Sequence, residues 1–545
     1  MKTMDKGLSR RSFLQASAAS LAGFAALGML GGCASQNAPV IGLPETWDQE
    51  ADVVILGLGA AGGMAAVQAS QAGSTVIVLE KMAQEYAGGS SCCFAGSVAK
   101  PADDRADALV SNSLQTITKE TAQTRVEGAV EAWTWCTENG MVMASNNFEV
   151  EGGAPVFYEW LTSTVTALDN TQVLYETPAV SLILDPTTRE VRGVYATQGD
   201  KEIAVKARKG VVVATGDYAA NMDLMQTLHW PKLHIVSCGS PANTGDGMML
   251  ATAAGAQVKY VANVCVDLSD FAYRVPSDEM GTGISSCWYS RTDAYTPDKD
   301  SSTLNNSMII VNMDGKRFMN EKARLQHNKS HNAFLDLHSE IFDPNKDYIN
   351  LPMFMVCDDD HIKSGPIGKP AQKKDDPPYM WAPTKDVYIW SDDNQKEIEK
   401  GWIIKADTIE ELAEKMKAKT YVTGTEKTIS AEALKASIEK YNAGCEAGVD
   451  EFGRPTERIK PIMTPPFYAI EMCPCALYSL GWLASDGVGQ VLDWNDEPMS
   501  RLYCAGNAGQ GMYYMPAGVS ICLGMGWVSG QHAASLSAWD EDKKK

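Results

Sequence analysis

Ala51-Asp52-Val53-Val54-Ile55-Leu56-Gly57-Leu58-Gly59-Ala60-Ala61-Gly62 is the stretch that decides the fold. Its first six residues are apolar and β-branched enough to read as a buried strand, and the glycines follow at once. A helical pattern runs from Gly62 through Gln71, and Thr75-Val76-Ile77-Val78-Leu79 reads as a second strand ending in Glu80. Strand, glycines, helix, strand and terminal acid at this spacing form a dinucleotide-binding unit of an α/β protein. Gly57 permits a tight turn, Gly59 with Ala60 and Ala61 lets backbone amides approach a pyrophosphate, and Gly62 lets helix and strand pack closely. Glu80 is placed to accept hydrogen bonds from an adenosine ribose.

Ahead of this unit stands Ser9-Arg10-Arg11-Ser12-Phe13-Leu14, a twin-arginine export signal. Residues Leu14 to Leu30 are rich in Ala and Gly, too short and too weakly apolar for a convincing transmembrane helix, and read as the core of a removed leader. Leu30-Gly31-Gly32-Cys33 resembles a bacterial lipobox, so residues 1–32 are expected to be cut away and Cys33 to carry a lipid. Residues 33–47, with Pro39 and Pro44, suit a tether. The expectation is a protein exported in folded form and held at the outer face of the cell membrane.

A chain of 545 residues, 45% hydrophobic, can bury a large core in more than one domain. Its formal charge of -21 repels phosphate backbones, which argues against nucleic acid as a partner. Cysteine spacing shows no haem attachment site and no ferredoxin-like series. Several cysteines, among them Cys92, Cys357, Cys504 and Cys522, lie in small or apolar runs where a buried thiol is expected. His327 and His331 have the spacing of one helix face, but no neighbouring ligand pattern completes a metal site.

Further motifs are Glu80-Lys81, Gly88-Gly89-Ser90-Ser91 with Gly96, Ala214-Thr215-Gly216, Asn243-Thr244-Gly245-Asp246-Gly247, Arg317-Phe318, Phe452-Gly453-Arg454 and Cys504-Ala505-Gly506-Asn507. Together they resemble the flavoprotein family of fumarate reductase and succinate dehydrogenase subunits, urocanate reductases and 3-ketosteroid dehydrogenases. The resemblance implies a Rossmann-type FAD-binding domain, residues 48–280 and 465–540, interrupted by an α+β substrate-capping domain, residues 281–464. It implies that FAD rests on the first helix, with Ser90, Ser91 and Gly96 near the isoalloxazine, and with Lys81, Gly88, Gly89, Asp246, Asn507, Ser520 and Ile521 at flavin-binding positions. Many members have glutamate where Asn507 stands. Residues 84–100 contain no histidine, so the attachment is expected to be non-covalent. The stretch Asp392 to Lys419 is expected to be a surface helix, with Glu410, Glu411, Glu414 and Lys415 on its solvated face.

On the substrate side the chain departs from fumarate reductases. Those enzymes grip two carboxylates with a histidine and arginines, where this chain has Tyr478-Ser479-Leu480-Gly481-Trp482 and Met515-Pro516-Ala517-Gly518. Tyr514-Met515-Pro516-Ala517-Gly518 is similar instead to the Tyr-Pro-Gly-Pro-Gly stretch of ketosteroid dehydrogenases. There the tyrosine hydroxyl and the amide four residues on hold a carbonyl oxygen, roles that fall to Tyr514 and Gly518. Glu321 and Arg324 have the spacing of a proton path in fumarate reductases. The resemblance therefore implies reduction of a C=C bond conjugated to a carbonyl, with a proton from Tyr478 or Arg324. Electrons would come from a separate cytochrome or quinol-linked membrane donor. A fumarate- or urocanate-type reductase, a ketosteroid-type dehydrogenase and a non-catalytic flavin-binding lipoprotein stand as alternatives. Met141 and Met143 suit either an apolar substrate pocket or the core.

Overall fold

A computed structural model describes residues 38–92, 98–102, 104–113, 117–145, 147, 149–228, 236–237, 240, 242–259, 261, 264–273, 287–288, 307–321, 347–367, 390–420, 422–456, 459–479, 481–509 and 518–541. Cys33, Gly96, Arg324, His327, His331 and Tyr514 lie outside these residues.

The opening stretch forms strand β2 (Gln49–Leu56) of a nine-stranded sheet. Its neighbours run β1 (Val40–Ile41), β5 (Ala179–Leu184), β6 (Val191–Gln198), β7 (Lys201–Val213), β2, β3 (Val76–Leu79) and β4 (Thr171–Leu174). β3 and β7 flank β2 in parallel, and every residue from Ala51 to Leu56 is buried. A continuous apolar run is what a strand covered on both faces requires. β7 forks. Its first half pairs antiparallel with β6, while Val211–Val213 take β13 (Pro498–Cys504) in parallel on the same edge, and β12 (Gln490–Leu492) pairs antiparallel with β13 as the ninth strand.

Helix α1 (Ala60–Gln71) is buried from Ala60 to Ala69, because sheet and helix α6 (Gly518–Ser535) cover both its sides. Small residues permit this: a Cβ on Gly526 would lie 2.0 Å from the Ala61 carbonyl oxygen, and one on Gly530 2.4 Å from that of Ala65. Helix α2 (Lys119–Glu138) packs on α6 in the same way through Gly128 and Gly524. Met141 and Met143 join this apolar cluster with Phe157 and Trp160, on helix α3 (Gly153–Thr166).

The second sheet has seven strands, centred on β11 (Phe467–Ser479) between β8 (Val264–Tyr273) and β10 (Met353–Asp358), with β9 (Met308–Asn312) beyond β10. Alternation along β9 and β10 gives the sheet two apolar faces. Ile309, Val311, Phe354 and Val356 pack on Leu434, Ile438 and Tyr441 of helix α5 (Ala431–Ala447). Met308, Ile310, Met353 and Met355 face a cluster that continues to Val54 and Leu56 in the first sheet. This sheet includes β8 and all of β11, so it extends past both ends of the expected capping segment 281–464.

Asp392 to Lys419 is not one helix. Gln395–Glu399 and Ile409–Lys415 are two short helices separated by a strand, Ile404–Ala406, that pairs with β11. Gly401, at φ +72°, ends the first, and Thr408 caps the second by accepting from the Glu411 amide.

Candidate functional site

The cradle expected for a dinucleotide forms at the carboxyl ends of β2, β3 and β7. Gly57 has φ +96°, and a Cβ on Gly62 would lie 2.0 Å from the Gly57 carbonyl oxygen, so neither position admits a larger residue. Glu80, buried at the end of β3, accepts from the Leu58 amide at 2.9 Å and the Met82 amide at 2.9 Å. Its carboxylate thus fixes the glycine turn. Ser91 Oγ accepts from the Ala60 amide at 2.8 Å, which puts this side chain on the amino end of α1.

Lys81, Thr244 and Asp246 come together from separate stretches. Lys81 Nζ lies 2.7 Å from Asp246 Oδ2, and Thr244 Oγ1 donates to Asp246 Oδ1 at 2.7 Å. Asp246 opens helix α4 (Asp246–Ala253), and the Gly247 amide donates to Thr215 Oγ1 at 3.1 Å, tying the Ala214-Thr215-Gly216 loop to that helix.

One side chain in this region is incompletely satisfied. Tyr158 of α3 has its ring against Gly88, where a Cβ would lie 2.9 Å away, and its buried hydroxyl has no hydrogen-bond partner among the described residues. Burial, and then the nearby Glu80 carboxylate, pushes its pKa well up, so it remains a donor. A neutral donor beside the cradle suits an acceptor-rich nucleotide.

At the far end of the cradle Asp217 is a hub. Its Oδ1 accepts from the amides of Ala219 at 2.9 Å and Ser479 at 3.1 Å and from Ser479 Oγ at 3.4 Å. Its Oδ2 accepts from Asn243 Nδ2 at 2.9 Å and Asn507 Nδ2 at 3.2 Å. The other Asn243 N–H reaches Ser90 Oγ at 2.8 Å. Tyr478 precedes Ser479 on β11, opposite Cys265 of β8, with its hydroxyl shielded from solvent. Gly518 opens α6 at φ +65°, and a Cβ there would meet nothing within 4 Å. Ser520 Oγ donates to the Ala99 carbonyl at 2.5 Å, and Ile521 is buried one residue on. Asp217, Asn243, Ser479 and Tyr158 were not among the expected site residues. An acid directly after Ala214-Thr215-Gly216, at the carboxyl end of a central strand, is the signal that points to Asp217.

Glu321 stands elsewhere, buried against β9 of the second sheet. Arg317 Nη2 lies 2.6 Å from Glu321 Oε2, Arg317 Nη1 lies 2.6 Å from Asp450 Oδ2, and the Ile310 amide donates to Glu321 Oε1 at 3.0 Å. Arg454 Nη1 approaches Glu321 Oε2 at 3.5 Å and donates to the Met308 carbonyl at 2.7 Å. The Arg317-Phe318 and Phe452-Gly453-Arg454 motifs thus meet in one buried ion cluster.

Sheet, glycine turn and terminal acid define a dinucleotide-binding protein of the doubly wound α/β class. The family model described as an FAD binding domain matches residues 158–523, more than half of the chain, and the chain belongs to that family. A model described as an FAD dependent oxidoreductase matches residues 52–219. The chain is 26% identical over 532 residues to a vinyl phenol reductase of Lactiplantibacillus plantarum, covering 89% of this chain and 96% of that protein. It is 26% identical over 619 residues to a digoxin reductase of Eggerthella lenta, covering 98% and 99%. A solved 3-ketosteroid delta1-dehydrogenase from Sterolibacterium denitrificans superposes with TM-score 0.63 at 18% identity, covering 90% of this chain and 100% of that one, a likeness of fold. The protein is an FAD-dependent oxidoreductase, and the cradle fits the cofactor: glycine turn, helix amino end, terminal acid and the Tyr158 donor would hold it.

Proposed function

We propose that this enzyme reduces a carbon–carbon double bond conjugated to a carbonyl in a neutral organic molecule. The observation that carries the reading is the Asp217 carboxylate, which binds the Ser479 amide and hydroxyl next to Tyr478 in the chain. A fixed negative charge there opposes a dicarboxylate and tolerates a neutral carbonyl compound. Two relatives that match along nearly their whole length are reductases, one of a vinyl phenol and one of digoxin, which supports an unsaturated organic substrate over a dicarboxylic acid.

The chemistry that FAD supplies when bound is hydride transfer. In this proposal the Tyr514 hydroxyl and the Gly518 amide hold the substrate carbonyl oxygen and stabilise the charge that develops on it. Tyr478 hands a proton to the α-carbon, and Arg324 is the second route. Electrons come from a separate cytochrome or quinol-linked membrane protein. The twin-arginine signal and Cys33 would place the enzyme at the outer membrane face as a lipoprotein.

The test is direct. The bound FAD is reduced chemically without air, and enones, enoates and saturated ketones are added while flavin absorbance is followed. Reoxidation by enones is the expected result. Reoxidation by fumarate-like acids alone would overturn the reading, and in a parallel run on the oxidised enzyme, bleaching of the flavin by saturated ketones would favour the dehydrogenase direction. Tyr514→Phe is expected to lower kcat roughly 100-fold or more with FAD retained, and unchanged turnover would remove Tyr514 from the mechanism.

A further inference from the structure

We propose that Asp217 is the positioning residue of this site: an ionised carboxylate that registers the flavin-side loops against the substrate-side strand and holds the flavin's reduction potential down. The inference rests on the FAD site and not on the choice of substrate.

The donor set argues for the ionised form. Ala219 N, Ser479 N, Asn243 Nδ2 and Asn507 Nδ2 can only donate to it, and Ser479 Oγ, which accepts from the Tyr218 amide at 3.0 Å, has its own proton to give. An ionised carboxylate is acceptor-only and takes all of them, whereas a protonated one would turn a hydrogen toward a donor. Burial pushes the carboxyl above its ordinary value, and the backbone and side-chain donors pull the other way. Among the described residues no Lys, Arg or His pairs with it. Among the described residues the charge is therefore held by neutral dipoles, as in an anion site.

Its partners lie 26, 262 and 290 residues away along the chain. Asn243 carries the contact on to Ser90, Asn507 follows β13, and Ser479 adjoins Tyr478. One carboxylate thus sets the spacing between the loops assigned to the isoalloxazine and the residue assigned to proton delivery. A negative charge held by neutral dipoles in a low-dielectric site also disfavours adding electrons to a neighbouring flavin, which suits an enzyme whose flavin must give electrons away.

The experiment compares FAD content, melting temperature and flavin midpoint potential of the holoenzyme, titrated against reference dyes, in wild type, D217N and the exchange variant D217N/N507D. D217N is expected to raise the potential. The exchange returns one carboxylate and one amide to the pair, with Asn243 and Ser90 able to reverse their own bond, and is expected to restore the potential toward wild type. A D217N protein that retains FAD at an unchanged potential, whatever its melting temperature, overturns the proposal. Should D217N fail to retain FAD, the exchange variant decides. FAD bound at a near-wild-type potential sustains the proposal, and an empty protein or a clearly raised potential overturns it.

Discussion

Glu80 does two things with one carboxylate. It was legible as the acid that ends the second strand, but its bonds to the Leu58 and Met82 amides show that it also builds the turn on which the pyrophosphate would rest. Glu80→Ala leaves the buried Leu58 amide and the half-buried Met82 amide without an acceptor, at about 1–3 kcal/mol for the buried one. FAD affinity, measured by fluorescence titration of the apoprotein, is expected to fall roughly tenfold or more, with Glu80→Gln falling less. An affinity equal to wild type would mean that the turn holds without the carboxylate. Glu80, Lys81 and Asp246 were readable because each sits in a local motif whose chemistry explains it. Asp217 and Tyr158 were not. A carboxyl after Ala-Thr-Gly reads as a turn residue, and its meaning appears only when Ser479 and Asn507 arrive from distant segments. Tyr158 lies in an ordinary amphipathic helix, where an aromatic residue reads as core.

Among the elements, the β2, α1 and β3 unit was legible almost to the residue, since each change of period falls at a glycine or at Glu80. Two other elements were not. The charge pattern from Asp392 to Lys419 suits a helix face, yet Gly401 and the Thr408 cap divide it, and the intervening strand finds its partner in β11. β11 itself carries no local sign of which sheet it joins, because alternation fits either one. The contact of α6 with α1 yields a sharper expectation. A methyl at Gly526 would meet the Ala61 carbonyl oxygen at 2.0 Å, so the helices must separate. Gly526→Ala is expected to cost about 1–3 kcal/mol in urea unfolding. FAD retention should fall with it, since Gly518, Ser520 and Ile521 ride on the same helix. A variant with unaltered stability would show that the helices can slide apart without cost.

For the whole molecule the C-terminal end is tied to the first sheet by charge. Asp540 is pushed up by burial, but Lys206 and Arg208 hold it below the ordinary carboxylate range, at 2.5 and 3.2 Å. Because its folded pKa is depressed, the stabilisation is present above the unfolded value of about 4 and is lost as pH falls through the folded pKa. Asp540→Asn is therefore expected to lower the urea midpoint at pH 7, with the gap to wild type closing progressively below about pH 4. A gap that persists undiminished well below that range would mean a role other than charge pairing. The fork in β7 reaches further than stability. Its upper half is completed by β13, and the helix that covers α1 follows β13, so residues 498–535 close a cradle begun at residue 51. A ribosome must therefore release residues 498–535 before the nucleotide has a finished seat, so cofactor loading waits for a segment made more than 400 residues after the glycine turn.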